Sequence, residues 1–278
     1  MRLAALAAAL SLAAPEARAW CRTTTMPAQP DPLVCPAEGR PLAWPSGCAG
    51  FRFDPTVRPD PGDIAPAELE RALDGAARAW AGLSCGGSAG ASPSFALARL
   101  PDAVTDAGYE GLGRDTNTVA FRRTWGLDAF HPPDAAAVTV VTFGARSAAI
   151  LDADTDLNLR GPSNPRGFRF ATDGDAASAD LQTVLTHELG HLQGLAHSGR
   201  REAVMWFQAG RGEQRQTPTD DDAAGLCDAY PPGASVCDPS AAGAVLRGGG
   251  VGCAAGSGGG AGAWWLLGLA ALIARRRG

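Results

Sequence analysis

Three of the chain's four histidines fall within eleven residues, at positions 187, 191 and 197, and this spacing is the tightest constraint on the fold. Four residues apart, His187 and His191 project from one face of an α-helix at neighbouring turns. That is the separation with which one rigid element grips a single metal ion. A helix over 180–194 is predicted around them, capped by Ser178, with Leu181, Val184, Leu185, Leu189 and Leu192 supplying its buried side. Glu188 stands about a hundred degrees round that helix from His187, within reach of a metal-bound water without being a ligand. Gly194 can take a positive φ, end the helix and turn the chain back, so that His197 approaches the same ion.

The run from His187 to His197 reads His-Glu-Leu-Gly-His-Leu-Gln-Gly-Leu-Ala-His, the full HExxHxxGxxH pattern, and resembles the metzincin zinc endopeptidases. Ser198 directly after the third histidine, and Met205 in Glu202-Ala203-Val204-Met205, make it similar to the matrixins, here of a bacterial type. Asp221-Asp222-Ala223-Ala224-Gly225-Leu226, running to Tyr230, is similar to the C-terminal helix of the matrixin catalytic domain, with Thr219 and Asp222 as its capping box. The resemblance is dense over 180–231 and loose over 48–179.

It implies an α+β, zincin-like catalytic domain at 48–232, a mixed twisted sheet with an active-site helix and a C-terminal helix. It further implies one catalytic zinc held by His187, His191 and His197, with Glu188 as general base and then acid. Met205 would form the Met-turn beneath the metal and would not be a ligand. Protein or peptide substrates would lie extended along an edge strand, read here within Ala149–Asn158. The rival reading is a non-enzymatic surface adhesion module that keeps zinc for structure. Glu188 argues against it, because structural zinc sites are closed by a fourth ligand and none is evident. No Pro-Arg-Cys-Gly segment precedes the domain, so latency of the animal type is not expected. His131 alone stands outside the motif, too little for a second zinc site, and His131-Pro132-Pro133 reads as an exposed turn. Trp206-Phe207 departs from the family pattern beside the expected specificity pocket, which leaves substrate preference open.

Elsewhere the pattern is that of alternating helix and strand. Gly50-Phe51-Arg52-Phe53 reads as a strand, and Pro66 opens a helix with Leu69, Leu73, Ala76, Trp80 and Leu83 on one face. Strand signals follow at Ser94–Leu100, Thr118–Arg123, Ala137–Phe143 and Ala149–Asn158. Asp152, Asp154 and Asp156 begin like an EF-hand, but Leu157 and Ser163 occupy the glycine and final glutamate positions. They read instead as the outer face of a half-buried strand, with a calcium site of another kind as the lesser reading. Gly161–Gly174 reads as a turn-rich loop containing a short strand at Phe168-Arg169-Phe170.

The two ends read as addresses. Arg2, the apolar run Leu3–Ala14 and Ala17-Arg18-Ala19 have the form of a signal peptide at 1–19, leaving Trp20 first in the exported chain. Residues 20–47 carry six prolines and read as an extended, disulfide-held lead-in. A Gly-rich spacer over 233–260 leads through Gly252-Cys253 to an apolar helix and Arg cluster at 261–278, an arrangement that obeys the positive-inside rule. This tail resembles myxobacterial C-terminal sorting tails (MYXO-CTERM), which implies processing near Cys253 by a sorting machinery and attachment to the cell surface or outer membrane. Six cysteines remain outside the tail, an even number suited to three disulfides in an oxidising compartment. Cys227 and Cys237 are expected to pair, and Cys21, Cys35, Cys48 and Cys85 to tie the lead-in to the body. A formal net charge of −5 disfavours a nucleic-acid partner, and a monomer is expected.

Overall fold

A computed structural model describes residues 20–27, 31–85, 92–105, 107–109, 116–125, 131–233 and 272–277. Residues 1–19, read as a signal peptide, and 234–260, with Cys237 and Cys253, lie outside the described residues.

The chain runs through β1 (Cys48–Asp54), α1 (Pro66–Ala81), β2 (Ala96–Arg99), β3 (Asn117–Arg122), β4 (Ala137–Gly144) and β5 (Ile150–Asn158). Then come two short paired strands, β6 (Phe170–Ala171) and β7 (Ala179–Asp180), followed by α2 (Leu181–Leu192), α3 (Asp220–Ala229) and β8 (Leu272–Arg277). The main sheet is ordered β2-β1-β3-β5-β4-β8. Its first four members pair in parallel and β4 runs antiparallel to β5. This is the α+β arrangement of a mixed sheet with few helices that the sequence predicts, a metzincin-like fold.

α1 and α2 pack on each other and on the sheet. Phe51, Phe53, Val119, Phe121, Val141, Ala153 and Leu157 of the sheet meet Leu69, Leu73, Ala76 and Trp80 of α1 and Leu181, Leu185, Leu189 and Leu192 of α2. Each of the four α2 leucines is essentially fully buried, contributing on the order of 2 kcal/mol. They anchor the histidine-bearing helix. The indole N–H of Trp80 donates to the carbonyl of Thr186 at 2.9 Å, locking α1 against the middle of α2.

Several expectations are corrected. The residue capping α2 is Asp180, whose Oδ1 accepts from the backbone N–H of Thr183 at 2.8 Å and from its hydroxyl, while Ser178 is bound to Asp175 in the preceding turn. β5 lies between β3 and β4, so the edge of the five-stranded body next to α2 is β4 and not Ala149–Asn158. Nor is β5 half-buried, for Asp152 and Asp154 are 2% and 6% exposed. Asp154 accepts from the backbone N–H groups of Thr118 and Gly108, and Asp156 is paired with Arg122 and His131. These acids are committed to protein donors, and the calcium reading finds no support in them. His131 is not an exposed turn: its side chain is 15% exposed, 2.9 Å from Asp156 and edge-on to Trp125.

Cys227 of α3 pairs with Cys85 after α1, not with Cys237, and Cys21 pairs with Cys35 inside the lead-in. Cys48 is disulfide-bonded as well. Within 261–278, where a helix was expected, Leu272–Arg277 is a strand parallel to β4. No helix among the described residues is long and apolar enough to cross a membrane.

Candidate metal centre

α2 carries His187 and His191, and the chain must reverse after Leu192 to return His197. Gly194 makes the reversal at φ +90°, and its N–H and that of Leu195 close on the carbonyls of His191 and Gly190. A Cβ there would stand 2.7 Å from the carbonyl oxygen of Leu42, so the position excludes side chains by crowding as well as by φ. The three imidazoles then converge, with ring centroids 4.7, 4.9 and 5.3 Å apart and one ligand nitrogen from each within 4.8 Å of the others. Among the described residues no other group of histidine, cysteine, aspartate or glutamate side chains is so arranged.

Hydrogen bonding fixes which nitrogen each ring offers. Nδ1 of His187 lies 2.7 Å from the carbonyl of Val204, and Nδ1 of His191 lies 2.9 Å from that of Leu195. A carbonyl only accepts, so both Nδ1 atoms carry the proton and both Nε2 atoms present lone pairs. Those two Nε2 atoms nevertheless face each other at 3.0 Å. Nε2 of His197 is buried with no hydrogen-bond partner. Two facing acceptor nitrogens and a third, unpartnered ring nitrogen beside them are the arrangement that a bound cation satisfies. Burial holds all three imidazoles below their usual pKa, His197 at about 3, so they are neutral and able to ligate at neutral pH. Neutral nitrogen donors without thiolate or backbone oxygen suit zinc.

Glu188 sits beside this trio, 3% exposed. Its Oε2 accepts the hydroxyl of Thr139 on β4 at 2.7 Å, and the hydroxyls of Thr139 and Thr155 are 2.9 Å apart. When Glu188 is ionised, Thr139 gives its one proton to the carboxylate and Thr155 donates to Thr139. Burial pushes the Glu188 carboxyl up to about 8, with the Thr139 hydrogen bond opposing. A carboxyl raised this far is one that takes and returns a proton near neutrality.

Met205 is buried under the trio. Its sulfur lies where a Cβ on Gly190 would be, which is why α2 carries glycine between Leu189 and His191. Asp222 of α3 fixes that turn: Oδ1 accepts from the N–H of Met205 and Oδ2 from that of Val204, both at 2.9 Å, while Oδ2 also takes the N–H and hydroxyl of Thr219. Sequence alone gives Asp222 only its capping role. Its grip on the Met205 turn and the Thr139 contact to Glu188 were missed, because both depend on residues far apart in the chain.

Residues 126–231 match the matrixin family model. The match covers the strands β4 and β5, the whole of α2, the Met205 turn and α3. Two plant proteins are similar over shorter stretches. Metalloendoproteinase 2-MMP of Arabidopsis thaliana is 36% identical over 76 residues, 27% of this chain and 18% of the relative. Metalloendoproteinase 1-MMP of the same plant is 42% identical over 55 residues, 20% of this chain and 15% of the relative. The chain thus spans less than a fifth of the length of these relatives.

Beside His187 and Glu188 opens a cavity of about 370 Å³. Ala135 and Ala136 before β4 and Ala137 at its start form one wall and Val204 with Trp206 to Arg211 the other, with Val184 and Phe168 also lining it. Val184, read from sequence as core, is a cavity residue. Among the described residues, the lead-in contributes none of the lining.

Proposed function

We propose that the chain is a zinc-dependent endopeptidase of the matrixin type, exported and held at the cell surface by its C-terminal tail. The observation that carries the hydrolytic reading is the buried Glu188 carboxyl, tied to Thr139, beside three ring nitrogens converging from His187, His191 and His197. A site that held metal only for structure would gain nothing from a buried carboxyl next to an open cavity. Zinc, when bound by the three histidines, supplies a Lewis acid that acidifies water and withdraws charge from a carbonyl oxygen.

The chain's own residues supply the rest. Thr139 occupies Oε2 of Glu188, so Oε1 takes the proton from the attacking water as its oxygen adds to the peptide carbonyl carbon. As the C–N bond breaks, the same oxygen returns that proton to the leaving amine, leaving a carboxylate and a free amine. β4 offers an edge along which an extended peptide can add main-chain hydrogen bonds, and the cavity takes a side chain next to the scissile bond. That edge pairs with Leu272–Arg277 in this structure, so a substrate strand would replace this segment. Export is supported by the form of residues 1–19 and by disulfides that require an oxidising compartment. Attachment at the surface, through a processed Cys253, is supported by the form of the tail alone.

The test is to produce the chain in an oxidising compartment and follow cleavage of unfolded casein, with mass spectrometry of the new termini. Cleavage should stop on chelation and return on adding one equivalent of zinc. Cleavage that persists in fully metal-free protein would refute the proposal, as would a folded, zinc-loaded chain that cleaves no unfolded protein.

A further inference from the structure

The loop from His191 to His197 cannot satisfy its own backbone. Its carbonyls at Gly194 and Leu195 and its N–H at Ala196 each take a partner from the lead-in. The N–H of Thr23 donates to the Gly194 carbonyl at 3.0 Å, and Nε of Arg22 reaches the same oxygen at 3.4 Å. The Thr23 hydroxyl donates to the Leu195 carbonyl at 3.0 Å, and the Ala196 N–H donates to the Cys21 carbonyl at 2.9 Å. The Leu195 carbonyl is also the oxygen that holds Nδ1 of His191. Thr23 therefore acts on the acceptor that orients the second imidazole, while Cys21 holds the residue next to the third.

The brace is itself anchored. The Arg22 side chain, 9% exposed, spans the Gly194 carbonyl, the Leu42 carbonyl and Asp228 of α3. The N–H of Leu42 donates to the Thr23 carbonyl, laying the two arms of the lead-in side by side over the turn. The Cys21–Cys35 disulfide closes the lead-in one residue from Arg22. None of these residues lines the cavity, so the segment lies behind the metal loop and does not obstruct the cleft.

We infer that residues 21–23 are a permanent brace of the metal loop, in which Thr23 and Arg22 are positioning residues that set how tightly the three-histidine site keeps its ion. The inference rests on the zinc reading above and extends it to a part of the chain that the metal motif does not include. Partners that orient ligating imidazoles commonly govern metal affinity by about ten- to a hundredfold. The brace acts through the His191 carbonyl partner and the path of His197, so its loss is felt as faster metal release.

The test uses the full exported chain and reads the metal directly. Zinc transfer to a coloured chelator is timed for wild type, Thr23→Val, Thr23→Ser and Arg22→Lys. The d–d spectrum of the cobalt-substituted forms and thermal unfolding of the metal-free forms are recorded beside it. Thr23→Val should release zinc at least about tenfold faster with an altered cobalt spectrum. Thr23→Ser, which keeps the hydroxyl, should restore both. If Thr23→Val does not fold, Arg22→Lys carries the test: it keeps the charge but cannot span three acceptors, and it too should release zinc faster. Folded variants that hold zinc as long as wild type overturn the brace and leave the zinc reading intact. A wild-type chain that binds no zinc overturns both.

Discussion

A neutral imidazole has one N–H, and in His187 and His191 the carbonyls of Val204 and Leu195 claim it. That leaves two inward lone pairs beside the unpartnered Nε2 of His197, in rings whose pH behaviour follows. Metal-free His187, His191 and His197 have pKa values lowered by burial, so the unfolded chain binds more protons than the folded one below about 6.5. Glu188 has the opposite sign. Raised to about 8, it contributes stability that is full below its unfolded value and is lost as pH rises through 8. Three histidines outweigh one glutamate, and the urea midpoint of the metal-free protein should fall as pH is lowered from about 6.5 toward 5. Replacing His197 by phenylalanine should reduce the slope, whereas a midpoint rising on acidification would contradict buried neutral imidazoles. At Gly194, alanine meets both φ +90° and the Leu42 carbonyl. Gly194→Ala should cost about 1–3 kcal/mol in urea unfolding, and unchanged stability would show that the turn can relax.

Among the elements, α2 is the one most legible in sequence. Its leucines, its paired histidines and the glycine that ends it are local signals with a helical period, and the structure assembles all of them within a few turns. α1 and β1 to β5 announce themselves by the same kind of local periodicity. What periodicity does not carry is which element lies beside which. β5 has the longer strand signal yet sits inside the sheet, because β4 turns back antiparallel along its outer side. Asp222 was legible as a cap, but its hold on Val204 and Met205 exists only because α3 folds under the Met205 turn. Its carboxylate accepts four hydrogen bonds while 1% exposed. Asp222→Ala leaves those buried donors unpaired, and a loss of about 3 kcal/mol or more is expected in chemical denaturation. A loss under about 1 kcal/mol would mean that the turn finds other partners.

Over the whole molecule, covalent ties join regions that sequence order keeps apart. Cys85 and Cys227, 142 residues apart, link the end of α1 to α3. Nearness in sequence pointed to Cys237 as the partner of Cys227, but pairing follows contact in the folded chain, and the Cα atoms of Cys85 and Cys227 stand 5.7 Å apart. Closing so long a loop in the unfolded chain should stabilise the fold by about 3–5 kcal/mol. Cys85→Ser with Cys227→Ser should lose that much in urea while the three histidines still bind zinc. Unchanged stability would show that the unfolded chain is already compact. The lead-in, read in sequence as an extended, disulfide-held segment, is built into the back of the metal loop by hydrogen bonds at Cys21, Arg22 and Thr23.

The central claim is that Glu188 turns a metal-holding cluster into a hydrolytic one. Its most direct test is Glu188→Gln in the full exported chain, with zinc content and casein cleavage measured on the same sample. The account predicts one zinc per chain, as in wild type, and cleavage reduced by about a hundredfold or more. A zinc-loaded Glu188→Gln protein that cleaves at the wild-type rate would contradict it.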